Sequence, residues 1–277
     1  MKNYFLKAFF ATFLFIAAAL CQDENENENE EEVDTTAKVI ENKNRREGDT
    51  IINGIEFVLV KAGTFMMGSP KDESGRHFDE AQYQVAITQN YRISRYPITQ
   101  AQYREITGSR PSYFGENDDN PVEFITWEKA NEFAKTIADG RGRLPTEAEW
   151  EFAARGANAS RGLIYSGSDE LDEVGWYADN ILSDTTHRTQ AVGQKQANVL
   201  GIHDMSGNVW EWCSDWYGLY PKGVSINPAG ADSGIERVVR GGAWDSNKLS
   251  CRLANRGSCY PSSGYNNVGI RVVVPVN

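Results

Sequence analysis

Carboxylates, imidazoles and thiols carry most enzymatic chemistry, and in this sequence their spacing points away from it. Glu147 and Glu149 stand two apart in Thr146-Glu147-Ala148-Glu149. Paired carboxylates suit general acid–base work. Thr followed three residues later by Glu, just ahead of Trp150, Ala153 and Ala154, is also the capping box that opens a helix, and capping accounts for the pattern more simply. The three histidines, His77, His187 and His203, include no pair at the spacing of ligands to one metal. The four cysteines, Cys21, Cys213, Cys251 and Cys259, lack the dense, even spacing of a disulfide framework. With Cys21 used elsewhere, they allow at most one internal bridge.

Two later stretches carry the remaining chemistry. In LGIHDMSGNVWEWCSDW, residues 200–216, Gly207-Asn208 supplies a tight turn, and Val209-Trp210-Glu211-Trp212 alternates so that both Trp share one face and Glu211 the other. A carboxylate beside free turn carbonyls suits Ca²⁺. A core turn, with Glu211 bonded to backbone, fits the residues alone better. Residues 237–274 mix framework (Arg240-Gly241-Gly242, Trp244, Leu253, Ala254, Pro261, Gly269) with scattered small polar and aromatic side chains. The scattered set is Asp245, Asn247, Ser250, Asn255, Gly257, Cys259, Tyr260, Ser262, Ser263, Tyr265 and Asn266. It has no catalytic geometry. It uses the Tyr/Ser/Gly/Asn vocabulary of binding loops, and equally that of an ordinary surface loop.

The elements that must position these residues are short. Ile55, Phe57 and Leu59 alternate as in a strand, and so do Tyr83, Val85 and Ile87. Three helices are expected: one from the Thr99–Gln102 capping box to Gly108, one capped by Thr126 with Trp127, Ala130, Ala134 and Ile137 on one face and Gly140 as its stop, and one from Thr146 to Gly156. Beyond Gly156, Gly, Asp and Asn predominate, which predicts loops and short strands.

The net charge of −11 is uneven: residues 1–21 contribute +2 and residues 22–36 contribute −8. No basic patch stands out, which argues against a nucleic-acid partner. Lysines followed by an apolar run over residues 8–20 fit a secretory signal, too short to span a bilayer. Cys21 follows directly, at the place where bacterial lipoproteins are cleaved and acylated, although Ala18-Ala19-Leu20 departs from the usual small residue before it. An ordinary signal peptide with an incidental Cys is the simpler alternative. QDENENENEEEVD, residues 22–34, reads as a solvated tether. The expected organisation is a signal peptide over 1–20, a lipidated Cys and tether over 21–50, and one globular domain over 51–277 with its variable part at about 243–266.

VLVKAGTFMMGSP, RLPTEAEWEFAARG, WYADN, LGIHDMSGNVWEWCSDWY, RVVRGGAW and NNVGIRVV occur in the order seen in the formylglycine-generating, sulfatase-modifying family, which this chain resembles over about residues 51–274. The resemblance implies an α+β fold of the C-type lectin-like kind, with small mixed sheets, flanking helices and much irregular structure. It also implies a calcium site at Asp204, Gly207, Val209 and Glu211, with backbone oxygens from the first three and the carboxylate of Glu211. Enzymes of the family use two cysteines a few residues after GGxW to bind copper and oxidise a substrate cysteine with O₂; soft thiolates suit Cu(I). Here that segment holds only Cys251, so no catalytic residues are assigned. The iron-dependent branch needs three imidazoles, which the histidine spacing does not supply.

The chain is also similar to the variable proteins of diversity-generating retroelements, which use this fold for display. Their mutagenesis scatters Asn codons to nearly the residue types of the eleven scattered positions. The resemblance implies a non-enzymatic, exported protein, lipid-anchored at the outer surface of a bacterial membrane and presenting a face to a protein or glycan ligand on another surface. It requires no cofactor beyond a structural calcium. The alternatives are the copper-dependent oxidase and a structural envelope lipoprotein.

Overall fold

The strand and helix signals resolve, in the computed structural model, into eleven short strands and five short helices among the residues described, 46–115, 117–181 and 187–276. The expectations for the apolar N-terminus, Cys21 and the acidic run fall outside them. The strands are β1 (Thr50–Ile52), β2 (Ile55–Val60), β3 (Gly63–Met67), β4 (Tyr83–Ile87), β5 (Tyr91–Ser94), β6 (Trp210–Trp216), β7 (Val224–Ile226), β8 (Arg237–Arg240), β9 (Arg256–Cys259), β10 (Val268–Gly269) and β11 (Val273–Pro275). The helices are α1 (Gln100–Thr107), α2 (Trp127–Thr136), α3 (Glu147–Ala154), α4 (Leu171–Val174) and α5 (Ala178–Ile181). The sheets are ordered β1-β2-β5-β11, β10-β6-β8-β9 and β3-β4-β7. The fold is α+β with small mixed sheets, since β10 pairs with β6, and β7 with β4, in parallel while the other pairings are antiparallel.

β2 carries apolar residues on both faces because a core lies on each side. Ile55 and Phe57 of β2 enter one cluster with Trp212, Val239, Val272 and Val274; Val58 and Val60 enter the other with Cys213, Val238, Tyr91 and Val273. The expected inward row of Ile55, Phe57 and Leu59 therefore breaks at Leu59, which is half-buried, and Val58 takes a buried place on the opposite face. A period-2 reading assumes one wet face, and β2 has none.

The helix starts follow their caps. Thr99 with Gln102, and Thr146 with Glu149, form complete capping boxes, and Thr126 accepts from the Lys129 amide. The stop of α2 differs from expectation. It ends at Thr136, and Ala138 and Asp139 take the left-handed conformation before Gly140 is reached. α3 is buried at every residue, including Glu147, Glu149 and Glu151. Glu149 caps the helix and forms a bidentate pair with Arg143 at 2.6 Å. Glu147 and Glu151 face the C-terminal segment.

That segment is held by buried arginines. Arg240 bonds Glu147 at 2.9 Å, Glu151 at 2.6 Å and the Leu253 carbonyl at 2.6 Å. Arg256 takes both oxygens of Glu147 at 2.6 and 2.8 Å. Arg252 forks onto Glu80 at 2.8 and 3.0 Å and reaches Glu73. Arg271 grips Glu211 of β6 through Nε and Nη2 and spends its other donors on the carbonyls of Ser94 and His203 at 2.6 and 2.7 Å. Trp150 of α3 gives its indole N–H to the same carboxylate at 2.6 Å. Two four-stranded sheets and α3 thus meet at Glu211. Arg271→Met leaves that carboxylate buried and unpaired, at a cost of about 3–5 kcal/mol. The urea midpoint should fall accordingly, and a double variant with Glu211→Leu should recover much of the loss. Equal loss in the single and double variants would mean the pair contributes only packing.

Candidate binding face

The segment after β8 turns through Gly241 and Gly242, at φ of 103° and 75°. A side chain at Gly242 would meet the Cys251 sulfur at 2.6 Å, so the turn packs directly on that thiol. Trp244 then donates its amide to the Asn208 carbonyl at 2.9 Å. Asn247 caps a short 3-10 turn, Lys248–Cys251, accepting from the Ser250 amide at 3.1 Å and its hydroxyl at 3.3 Å. Arg252, Leu253 and Ala254 are buried, and β9 leads into the loop that ends at β10.

Most of the expected residues reach solvent. Asp245, Asn247, Tyr260 and Ser262 are exposed, and Ser250, Gly257, Cys259, Ser263, Tyr265 and Asn266 are half-exposed. Asp245 accepts two bonds from the Asn267 side chain at 3.0 and 3.1 Å, and Trp244 Nε1 donates to the Asn266 carbonyl at 3.3 Å. These contacts bring the two ends of the segment together. Asn247 and Ser250 bond each other at the 3-10 turn, and Cys259 lies at the far end of β9, opposite Arg237.

Two of the eleven do not behave as display positions. Asn255 is only 6% exposed and turns its amide toward Glu80 at 3.5 Å, drawn inward between Arg252 and Arg256. Gly257 faces the ring of Trp210 and Val239, and a Cβ there would meet them at 3.1 and 2.8 Å. Cys259 is the last residue of β9.

A second wall comes from a loop the sequence reading missed. Tyr113 is 66% and Phe124 47% exposed. Phe114 meets Trp244 edge-on at 5.5 Å, and Tyr113 contacts both Phe114 and Phe124. The loop is laced to residues 261–265 through backbone: Phe124 N–H to the Tyr265 carbonyl at 2.9 Å and Trp127 N–H to the Pro261 carbonyl at 2.8 Å. Phe124 sits at φ 61°, a strained conformation for a bulky residue. The available signal was Tyr113-Phe114 standing in a polar stretch between Pro111 and Gly115.

Beneath this loop lies Glu123, fully buried, accepting from the amides of Tyr113 at 3.2 Å and Phe114 at 2.8 Å. Burial pushes its carboxyl up to about 7, against those bonds.

The expected calcium residues do not fit a cation. Both oxygens of the Glu211 carboxylate accept from Arg271, and one of them also from Trp150, so its charge is already matched by a guanidinium. Gly207 and Asn208 form the expected turn, both at positive φ, with their amides on the carbonyls of Gly241 and Trp176. Val209 is buried at the head of β6. Asp204 accepts from the Gly193 amide at 2.7 Å through Oδ2, leaves Oδ1 buried and unbonded, and is pushed up to about 6 by burial.

The thiols are apart. Cys251 packs with Tyr165, Leu171, Val174 and Tyr177, while Cys259 packs against a different cluster; Cys213, Cys251 and Cys259 are all unbridged. Burial pushes Cys251 and Cys259 up to about 12. His203 stacks on Tyr96 at 5.0 Å and bonds the Lys195 carbonyl through Nδ1 at 2.9 Å, in the role of a core residue.

Comparison with known proteins follows this geometry. The sulfatase-modifying factor enzyme 1-like domain matches residues 43–276. The chaperone protein LppX of Paenibacillus barcinonensis is 30% identical, over 82% of this chain and 91% of that protein. The formylglycine-generating enzyme of Streptomyces coelicolor is 36% identical over 62% of this chain, a match that spans 57% of the enzyme's own length. Among solved structures, Treponema denticola variable protein 1 superposes with a TM-score of 0.71 at 24% identity, over 82% of this chain and 98% of that one, a likeness of fold.

Glu123 makes a pH prediction. Its folded pKa is raised, so the folded state holds the proton more tightly than the unfolded one. The stability this contributes is complete below the unfolded carboxylate range and is lost as pH rises through about 7. In urea unfolding, Glu123→Gln should therefore gain on the parent between pH 5 and pH 8, by on the order of 1–2 kcal/mol. A difference that stays constant with pH would show Glu123 to be solvated rather than buried.

Proposed function

This chain belongs to the sulfatase-modifying factor enzyme 1-like family, and from that premise we propose that it is a binding protein without enzymatic activity. In this reading the exposed part of residues 244–266, with Tyr113, Phe114 and Phe124 beside it, takes a protein or glycan ligand carried on another surface. The observation that carries it is the division of labour along one segment. Arg240, Arg252, Arg256 and Arg271 are buried and paired, while Asp245, Asn247, Tyr260 and Ser262 point outward between them. Backbone geometry then depends chiefly on buried ion pairs, with Asn247 and Asp245 adding only local bonds at the surface. Exposed rings with amides and hydroxyls between them suit protein and glycan surfaces alike, and Tyr260 and Tyr265 are the anchors, since aromatic residues carry a disproportionate share of interface energy.

The rival reading is the copper-dependent oxidase, favoured by the similarity to a formylglycine-generating enzyme. That chemistry needs two soft thiolates on one metal. Against it stand a single Cys in the segment after Trp244 and a Cys251 thiol buried among tyrosines and aliphatics. The proposal also has the chain exported and tethered to a membrane by an acylated Cys21 through the acidic run, supported by the N-terminal sequence. A structural envelope lipoprotein shares that tether and lacks the ligand.

The test is to randomise Asp245, Asn247, Ser250, Cys259, Tyr260, Ser262, Ser263, Tyr265 and Asn266 together, leaving Asn255 and Gly257 intact. Most members should fold with melting temperatures within about 5 °C of the parent, and ligand selection should yield distinct binders. General loss of folding would make the segment core and remove the display reading. The purified parent given Cu(I), O₂ and a cysteine peptide should yield no aldehyde; a stoichiometric aldehyde would establish the oxidase instead. Separately, Cys21→Ala should move the protein from the membrane to the soluble fraction, and retention on the membrane would rule out the tether.

A further inference from the structure

A cavity of about 380 Å³ opens beside β4 and β7, bounded by Met67, Leu219, Pro221 and Ile226 on its apolar sides and by Tyr83, Trp216 and Tyr220 on its aromatic ones. That volume sits at the low end of the range for small-molecule sites. Three charged side chains line it: Glu147, Arg256 and Asp215.

Two of these charges are matched. Glu147 is held by Arg240 and by the fork of Arg256, and takes the Tyr220 hydroxyl at 3.0 Å. Arg256 spends its remaining donors on the carbonyls of Gly218 and Asp79 at 2.9 and 3.3 Å. Burial alone drives the Glu147 carboxyl up, and Arg256 and Arg240 together more than reverse it.

Asp215 is the exception. It is 3% exposed, and Oδ2 accepts from the Glu147 amide at 3.0 Å and the Ser214 hydroxyl at 2.9 Å. Its other oxygen accepts no hydrogen bond among the described residues and lies 3.1 Å from where a Cβ on Gly230, another cavity residue, would stand. Among the described residues no cationic side chain forms an ion pair with it. Burial, with Glu147 adding to it, pushes the carboxyl up to about 7. A carboxylate this buried, with one oxygen open to the cavity and no hydrogen bond on it, suits a positive charge with an N–H to give. The rings of Trp216 and Tyr220 already carry the guanidinium groups of Arg237 and Arg256, so the charge is drawn by Asp215, and the apolar sides favour a short hydrocarbon body behind it.

We propose that this cavity binds a small aliphatic ammonium group, its N–H donating to the free oxygen of Asp215 and its hydrocarbon lying against Met67, Leu219 and Ile226. The site is separate from the face formed by residues 244–266 and does not depend on its role. The ammonium could belong to a free amine or to a lysine side chain, a distinction the experiment draws.

Met67 lines the cavity, whereas Met66 and Met205 do not, so methyl-labelled methionine in the full chain gives one reporter and two internal controls by NMR. n-Butylammonium should shift the Met67 methyl saturably, and 1-butanol, of equal length and no charge, should not. Asp215→Asn keeps the acceptor for the Glu147 amide and should weaken ammonium binding at least about tenfold. Ala229→Trp, placed at an exposed lining position, should block the cavity and abolish the shift while leaving the Met205 signal and the melting curve unchanged. Binding of Nα-acetyl-lysine amide with the same Asp215 dependence would assign the site to lysine side chains; failure of that probe beside binding of n-butylammonium would assign it to free amines. The proposal is overturned if 1-butanol acts as strongly as the amine, if either variant binds the amine as the parent does, or if 100 mM amine leaves Met67 unmoved.

Discussion

The constraint on which the rest of this structure depends is the pairing of buried arginines in the C-terminal segment with buried glutamates elsewhere. Arg240 and Arg256 converge on Glu147, Arg240 also reaches Glu151, Arg252 holds Glu80, and Arg271 holds Glu211. Each guanidinium also bonds a backbone carbonyl: Leu253, Gly218, Gly75 and Ser94 in turn. The planar fork of Arg suits this double duty, which a Lys ammonium could not reproduce. A buried pair adds little net stability over an apolar packing of equal shape, yet losing one member is severe. Such pairs therefore fix where the chain runs more than how stable it is. Here they fix the course of residues 240–271 without using the side chains between them.

That arrangement explains why a segment with so little regular structure is nonetheless ordered. β9 and β10 are four and two residues long, and the chain between them has no ladder of its own. Its carbonyls are taken instead by donors outside that loop: Pro261 by the Trp127 amide, Tyr265 by the Phe124 amide, Asn266 by the Trp244 indole and Asn267 by the Trp210 amide. Backbone groups are satisfied from outside, which leaves Tyr260 and Ser262 free of structural duty, while Asp245 and Asn247 make local bonds and Cys259 and Tyr265 rest on the core. Asn255 and Gly257 fall on the wrong side of this division, one against Glu80 and the other under Trp210.

The sequence disclosed local structure better than tertiary roles. The capping boxes at Thr99 and Thr146 fixed two helix starts because the cap is made by residues three apart. Glu149 was legible as a capping residue for the same reason. Glu147 was not legible as the hub of two arginines, since its partners lie 93 and 109 positions away. β2 misled at Leu59 because nothing local reports that both faces of a strand are covered. The aromatic wall of Tyr113, Phe114 and Phe124 went unseen because its relevance comes from lying against Trp244 and Tyr265, a juxtaposition only the fold creates. Family resemblance supplied the fold correctly, but its calcium expectation met a carboxylate already committed to Arg271.

A fold of this kind does not dictate a chemistry, and Cys251 shows how narrow the difference is. The Gly241-Gly242 turn that introduces the segment is built so tightly on Cys251 that no β-carbon fits at Gly242. The thiol thereby becomes part of the packing that holds the turn, alongside Tyr165 and Tyr177. A thiol in that position gains from staying neutral, since burial raises the cost of the thiolate that a metal or an oxidant would require. The same tightness that sets the turn thus keeps the Cys251 thiol away from the surface of residues 244–266. What reaches the surface of residues 245–266 is mostly rings, amides and hydroxyls, with the Asp245 carboxylate and the half-exposed Cys259 thiol among them.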